Sequence, residues 1–314
     1  MIERKTVFIL GAGASCPYGF PSGIGLREKI CSSYVRDCEA YLRGKAYEGL
    51  VEVQLREAEE FRGKFDGSSI SIDKFLAINS EFYEPGKRAI IFRILEAEQE
   101  SAFREQTKHK EQDWYSWIYN QLIDEIVKKQ DYSRFHENDV SFVTFNYDRS
   151  LEHILYENLV NSFNGIETAR IIEELNRIRI IHVFGQVAPL KWKDRKHGIE
   201  YGESFVDVPV DDLSENLQIV YEENNNPEVE EARNLISKAK RIFFLGFGYA
   251  KENLKILITP KGADGQRFYG TALRLTKKQI NDVRLQLSEF SGKRSVAMNN
   301  IEDLDCVALL KEYL

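Results

Sequence analysis

The stretch that decides the fold is TVFILGAGAS, which spans residues 6–15. Thr6–Leu10 is a mostly apolar run, as expected of a buried strand, and it leads directly into the turn Gly11-Ala12-Gly13-Ala14-Ser15. A glycine turn after a strand can bring bare backbone against a phosphate, because glycine has no Cβ to block the approach. Ser15 can donate its hydroxyl to a phosphate oxygen or cap the helix that follows. The sequence therefore begins with a candidate nucleotide-binding turn.

Strand-like and helical patterns alternate beyond this turn. Further strands are predicted at Val140–Phe145, Ile178–Val183, Leu217–Tyr221, Arg241–Leu245 and Phe268–Leu275. Helical spacing lies between them at Arg149–Leu159, Ala169–Asn176, Glu228–Ala239 and Lys277–Leu287. This alternation predicts an α/β fold, a Rossmann-like, doubly wound and mostly parallel sheet with right-handed crossovers. Ligands of such sheets bind beyond the carboxyl ends of the strands, where every motif described below falls.

The region between the first two strands has a different pattern. After a helix predicted from about Gly25 to Leu42, residues 43–130 are rich in Glu, Lys, Arg and Leu and poor in strand signals. Helices are predicted at Glu48–Glu60, Ile72–Ile78, Ala89–Arg104 and Trp114–Lys129, with turns marked by Gly63, Gly67 and Pro85-Gly86. We therefore expect residues 1–42 and 131–314 to form the Rossmann-type domain and residues 43–130 to form a large helical insertion.

The composition is that of an ordinary globular protein. No run approaches the roughly 20 apolar residues needed to span a membrane, and the N-terminus lacks a signal-peptide core, so we expect a cytoplasmic protein without membrane contact. The net charge of -7 argues against direct nucleic-acid binding over a broad surface. The local basic run Lys191–Lys196 is either a contact for an acidic partner or a solvated loop. The four cysteines form no C-x-x-C pair, which predicts free thiols and no zinc or other metal site.

A second motif, Thr144-Phe145-Asn146-Tyr147-Asp148, ends the second predicted strand. An Asn between aromatic residues at a strand end suits holding a water or a ribose hydroxyl. The alternative is that Asn146 or Asp148 caps the helix predicted at Arg149–Leu159. Both interpretations hold together if Asp148 caps the helix while Asn146 faces the site.

Two more motifs end later strands. His182 closes a β-branched strand shortly before Gly185, and histidine is the commonest general base; the alternative is a structural histidine bonded to backbone. Phe243–Tyr249 runs into Gly246 and Gly248, which makes a second backbone approach to a dinucleotide plausible; the alternative is a plain βα turn.

Together the four motifs resemble the sirtuin (SIR2) superfamily, and more closely its bacterial antiphage-defence branch than its deacetylases. The family's segment GAG-x-S-x3-G-x-P is matched by Gly11, Ala12, Gly13, Ser15, Gly19 and Pro21. Its segment T-x-N-x-D is matched by Thr144, Asn146 and Asp148, and its later glycine-rich strand end is matched by Gly246 and Gly248. The resemblance implies NAD as a substrate, held by these residues with Ala14 and Gly185, and cleaved with Asn146 and His182 as catalytic residues.

The departures from the family pattern bear on the activity. Ser22-Gly23-Ile24 replaces the Asp-Phe-Arg of the deacetylases, Phe145 replaces the Gln of their T-Q-N-I-D, and no zinc module is present. The catalytic His of the family stands immediately before a glycine, a place that Phe184 holds here. His182 lies two residues earlier on the same strand face, so it either serves from there or is structural in a chain that has lost catalysis.

The resemblance thus implies an NAD hydrolase that releases nicotinamide and ADP-ribose and acts in antiphage defence by NAD depletion. Asn146 would position the attacking water and His182 would act as general base. A gate is expected, either homo-oligomerisation through residues 43–130 or a partner such as a HerA-type ATPase or an Argonaute-like protein. The alternatives are a non-catalytic NAD- or ADP-ribose-binding subunit and a protein deacylase.

Overall fold

Among the residues that the structure describes, six parallel strands form one sheet in the order β3-β2-β1-β4-β5-β6. The computed structural model describes residues 1–43, 45, 48–101, 111–129, 132–163, 165–219, 226–257, 265–290 and 299–314. The strands are β1 (Thr6–Leu10), β2 (Val140–Thr144), β3 (Arg179–His182), β4 (Arg241–Leu245), β5 (Arg267–Thr271) and β6 (Asn299–Glu302). The order reverses between β1 and β4, as in Rossmann-type sheets. The predicted Rossmann-like α/β fold is confirmed.

A row of aromatic rings in contact crosses the middle of the sheet. Phe8 in β1 is in register with Phe142 of β2 and Phe243 of β4, with ring centroids 5.1 Å and 5.4 Å away. All five residues of β1 are buried. Parallel strands covered on both faces read as continuous apolar runs, which is why the sequence pattern identified β1 so clearly.

Helices cover the sheet and fill the region between β1 and β2. Those up to β2 are α1 (Ala12–Ser15), α2 (Gly23–Leu42), α3 (Glu48–Asp66), α4 (Ile72–Ile78), α5 (Tyr83–Glu100) and α6 (Trp114–Lys129). After β2 follow α7 (Ser150–Ser162), α8 (Thr168–Arg177), α9 (Val210–Ser214), α10 (Pro227–Lys238), α11 (Lys251–Leu257), α12 (Lys277–Phe290) and α13 (Cys306–Tyr313). None of these helices, within the described ranges, is long and apolar enough to cross a bilayer.

The helices of residues 43–130 share one hydrophobic core with the sheet. Glu98 near the end of α5 forms an ion pair with Arg149, which precedes α7, at 2.9 Å, and both side chains are completely buried. Arg149 also donates to the carbonyls of Pro189 and Ile199 in the segment after β3. This buried pair fastens the helical region to the carboxyl edge of the sheet. The domain boundaries proposed at residues 42 and 130 remain a prediction.

Several local predictions were wrong. Gly63 lies inside α3, and Pro85-Gly86 lies inside the first turn of α5, where the missing N–H of proline breaks no helical hydrogen bond. Leu217 forms only an isolated antiparallel bridge with Gly185, because this stretch turns back over the end of β3 and does not extend the sheet. Residues 220 and 221 of that predicted strand, and residues 102–104 of the predicted Ala89–Arg104 helix, lie outside the described residues.

Candidate nucleotide-binding crevice

The loops after β1 and β4 pack backbone against backbone at the point where the strand order reverses. The Gly13 amide donates to the Gly246 carbonyl at 3.0 Å. A Cβ on Gly11 would lie 2.7 Å from that same oxygen, and one on Gly13 would lie 2.8 Å from it. Gly246 has a φ of 56°, a left-handed conformation that glycine adopts without strain. The glycines are thus needed for contact between the two loops, and the binding of a phosphate by them stays a prediction.

Asn146 joins the end of β2 to the glycine turn. Its Nδ2 donates to the Gly11 carbonyl and to Ser15 Oγ, both at 3.1 Å. Two oxygen acceptors on one side of the amide fix its orientation. The opposite atom, Oδ1, is buried and has no hydrogen-bond partner among the described residues. Because a buried carbonyl oxygen without a partner is costly, this atom is a candidate acceptor for a hydrogen bond from a ligand or water.

Asp148 closes a hydrogen-bond chain behind Asn146. Ser15 Oγ donates to Asp148 Oδ2 at 2.9 Å, and Asp148 Oδ1 accepts from the amide of Ser150, the first residue of α7, at 3.1 Å. Burial raises the pKa of Asp148, and its hydrogen bonds from the two serines oppose this effect. The N-cap of α7 is Arg149, so the N-cap role expected of Asn146 or Asp148 is not found. Asp148 lies one residue earlier, accepts from the first residue of α7 and orients Ser15, which in turn contacts Asn146.

His182 is buried and both of its ring nitrogens are engaged. Nδ1 lies 3.0 Å from the backbone oxygen of Asn146, and Nε2 lies 2.8 Å from Glu152 Oε1. Since a carbonyl only accepts, Nδ1 carries a hydrogen. Burial alone would lower the pKa of His182, but the charge and hydrogen bonding of Glu152 outweigh it and raise that pKa. Burial would likewise raise the pKa of Glu152, and His182 lowers it instead. The two side chains form a buried ion pair that fixes the Asn146 backbone.

Three phenylalanines from neighbouring strand ends form an aromatic wall beside Asn146. Phe145, which follows β2, meets Phe184 and Phe247 edge to face, with ring centroids 5.4 Å and 5.1 Å away. Phe184 and Phe247 are buried. Phe184, the residue before Gly185, is thus part of an apolar wall.

The other predicted site residues have mixed placements. Thr144 Oγ1 accepts from the Asn146 amide at 3.1 Å. Gly248 is exposed and a Cβ there would meet open space. Gly185 has a φ of 74° and packs on the backbone of Asn216. The structure therefore brings Gly11–Ser15, Thr144, Asn146, Asp148, His182 and Gly246 into one connected network.

Gly19 and Pro21 lie beyond α1, where Gly19 has a φ of 95° and ends the short 3₁₀ turn Cys16–Tyr18.

Two residues at the start of α6 support the glycine turn, and the sequence alone did not reveal them. Trp114 Nε1 donates to the carbonyl of Ala14 at 2.8 Å, and Tyr115 OH lies 2.7 Å from Ser150 Oγ. The ring of Tyr115 stacks on Tyr18 with centroids 4.3 Å apart. The Trp-Tyr pair marks the start of an amphipathic helix, but nothing local indicates its contacts with residues 35 to 100 positions away. Among the described residues, no group of three or more His, Cys, Asp or Glu is arranged to hold a metal ion.

No protein-family model and no curated protein matches this chain. Among solved structures, the chain is similar to Sir2Tm bound to a propionylated peptide. The two have 14% sequence identity and a TM-score of 0.35, over 98% of this chain and 91% of that chain.

Proposed function

We propose that the chain binds NAD at the reversal point of the sheet and hydrolyses its nicotinamide–ribose bond. The observation that carries this proposal is the buried Oδ1 of Asn146, which has no hydrogen-bond partner among the described residues. The Nδ2 of the same amide donates to the Gly11 carbonyl of the glycine turn at 3.1 Å. Ligands of doubly wound sheets bind in this crevice, and the sequence motifs that resemble the sirtuin superfamily meet there. NAD is the substrate that these motifs imply.

The reaction mainly requires the protein to hold NAD and the attacking water in the correct positions. Cleavage of an N-glycosidic bond passes through an oxocarbenium-like transition state, so most of the bond has broken before water attacks. An acceptor that holds one water hydrogen can then orient the attack without a strong base. Asn146 Oδ1 is such an acceptor, and the Phe145–Phe184–Phe247 wall supplies an apolar surface for a nicotinamide ring.

His182 acts in this proposal as a positioning residue. The imidazole has no free nitrogen to take a proton from a ribose hydroxyl, because Asn146 and Glu152 occupy both. The buried pair instead holds the backbone of Asn146, whose side chain must be placed accurately to orient water. This assignment revises the general-base role that the strand-end position suggested.

The wider role rests on the motif resemblance alone. A defence effector that depletes NAD would need a gate, since unrestrained NAD hydrolysis is toxic to its own cell. Assembly of the chain with itself, or with a HerA-type ATPase or an Argonaute-like partner, would supply that gate.

The test is nicotinamide release from NAD by the purified protein, with two matched variants. Asn146→Ala removes Oδ1 and should lower turnover on the order of 100-fold, the size of losing one well-placed polar group at a reacting centre. Asn234→Ala, which truncates an exposed asparagine on α10, should retain full turnover. Circular dichroism establishes that each variant is folded. Equal turnover by wild type and Asn146→Ala would contradict the proposal.

A second candidate is a nucleotide-binding subunit without catalysis. Two observations favour it: His182 has both nitrogens engaged, and Phe184 stands where the family has its histidine. This candidate predicts NAD binding with no nicotinamide release under any assembly state. Turnover by the wild type excludes it.

A further inference from the structure

A cavity lies between α7 and the segment after β3. Its volume is about 550 Å³, within the range of small-molecule sites. The residues that line it and matter here are His153, Tyr156, Glu157, Lys191, Trp192 and Arg195. None of the crevice residues described above is among its lining residues. One of its lining residues, Trp192, also lines a neighbouring cavity that His182 and Gly185 border.

Stacked aromatic pairs form the walls of this cavity. Tyr156 of α7 stacks on Trp192 with ring centroids 4.6 Å apart and planes at 10°. His153 stacks on Tyr201 with centroids 3.7 Å apart and planes at 3°. Burial lowers the pKa of His153 to about 4, with the Arg149 charge adding to the effect, so this ring is neutral at physiological pH. Flat, uncharged rings in the lining suit contact with a planar heteroaromatic ligand.

Some polar groups at the cavity have no hydrogen-bond or ion-pair partner among the described residues. The indole Nε1 of Trp192 is buried and makes no hydrogen bond within the described part of the chain. An indole N–H is only a donor, so the missing partner is an acceptor atom. Lys191 and Arg195 form no ion pair with any described residue, although the carboxyl groups of Glu157 and Glu200 also line the cavity. Burial raises the pKa of Glu157.

We propose that this cavity binds a nucleotide. A base lies against the Tyr156–Trp192 stack and offers a ring nitrogen or carbonyl to Trp192 Nε1, while the phosphate pairs with Lys191 and Arg195. Glu157 accepts from an exocyclic amino group, which favours an adenine base over one without such a group. In this proposal the phosphate is a ligand of the basic run Lys191–Lys196, for which the sequence left two interpretations open. Binding in this cavity does not depend on NAD cleavage.

The test is isothermal titration calorimetry of the whole protein with AMP, compared with adenosine and with inorganic phosphate. Trp192→Phe keeps an aromatic ring and removes the donor, and it should weaken AMP binding roughly 3- to 10-fold, the size of one hydrogen bond. The double variant Lys191→Gln/Arg195→Gln should weaken AMP binding at least about tenfold, since bonds to charged groups are stronger, and leave adenosine binding unchanged. Trp117→Phe, which changes a part-buried tryptophan of α6, is the matched control.

The variant Asn146→Ala distinguishes binding in this cavity from binding in the crevice, because it should leave the affinity for AMP unchanged. Unaltered AMP binding in Trp192→Phe, or AMP binding that falls with Asn146→Ala instead, would overturn the proposal, as would no heat of AMP binding to the wild type. Binding of phosphate as tight as that of AMP would also overturn it, because the aromatic walls would then contribute nothing.

Discussion

Replacing Glu152 by Gln tests the buried ion pair on which the position of Asn146 depends. The pair is 2.8 Å long, and its side chains are only 8% and 4% exposed, so solvent screens it weakly. Breaking a buried pair by removing one charge typically costs about 3–5 kcal/mol. The Gln carbonyl can still accept from His182 Nε2, which places the expected loss near the lower end, about 3 kcal/mol, or roughly 100-fold in the unfolding equilibrium.

The loss should depend on pH. Folding raises the pKa of His182, so its pairing stabilises the wild type fully below about pH 6.5 and is lost as the pH rises through the raised value. Folding lowers the pKa of Glu152, so the contribution of Glu152 is present above about pH 4.5 and is lost as the pH falls through the lowered value. The variant should therefore be most destabilised near pH 6 and less so at high pH.

Urea denaturation followed by circular dichroism at about pH 6 and about pH 9 measures this difference. Glu173→Gln on α8 is the matched control, because Glu173 is 67% exposed and its pairing with Arg177 should contribute less than about 1 kcal/mol. The reasoning is refuted if Glu152→Gln loses the same free energy of unfolding at both pH values, or loses no more than the control.

Three further substitutions test how the crevice is built, each by urea denaturation. Gly13→Ala would place a Cβ within 2.8 Å of backbone and should lower the free energy of unfolding by about 1–3 kcal/mol. Its control, Gly63→Ala in open space on α3, should raise that free energy by about 0.5–1 kcal/mol. A Gly13→Ala protein more stable than the Gly63→Ala protein would contradict the packing of the two loops. Glu98→Ala would leave the buried guanidinium of Arg149 without its carboxylate, and a loss below about 1 kcal/mol would count against the expected 3–5 kcal/mol. Trp114→Phe removes the hydrogen bond from α6 to the glycine turn and should cost about 1–2 kcal/mol; an unchanged stability would show that α6 does not support the turn.

Much of the fold could be predicted because its strands are continuous apolar runs and its helices carry regular apolar spacing. The bounds of α4 and α6, Ile72–Ile78 and Trp114–Lys129, were predicted as the structure has them. β6 was not predicted, because Asn299–Glu302 contains a single apolar residue and offers no strand pattern. This segment becomes a strand because it pairs with β5, which would otherwise be the edge of the sheet, and not because of its own sequence pattern.

The crevice could be predicted in part for a similar reason. Parallel strands end at one edge of the sheet, so motifs that follow β1, β2 and β4 were expected to meet, and Asn146 does contact Gly11. The partner of His182 could not be predicted, since Glu152 lies 30 residues earlier inside a helix and looks like any surface glutamate. That partner changes the expected chemistry of the histidine from a proton acceptor to a paired cation.

The most direct test of the central claim is binding of a carbocyclic NAD analogue, whose nicotinamide-to-ring bond resists hydrolysis, to wild type and Asn146→Ala. Calorimetry reads binding whether the enzyme is active, gated or without catalysis. The account predicts that the wild type binds the analogue and that Asn146→Ala binds it roughly 3- to 10-fold more weakly, because one buried acceptor is lost. Absence of binding to the wild type, or equal binding by both proteins, would contradict the placement of NAD in this crevice.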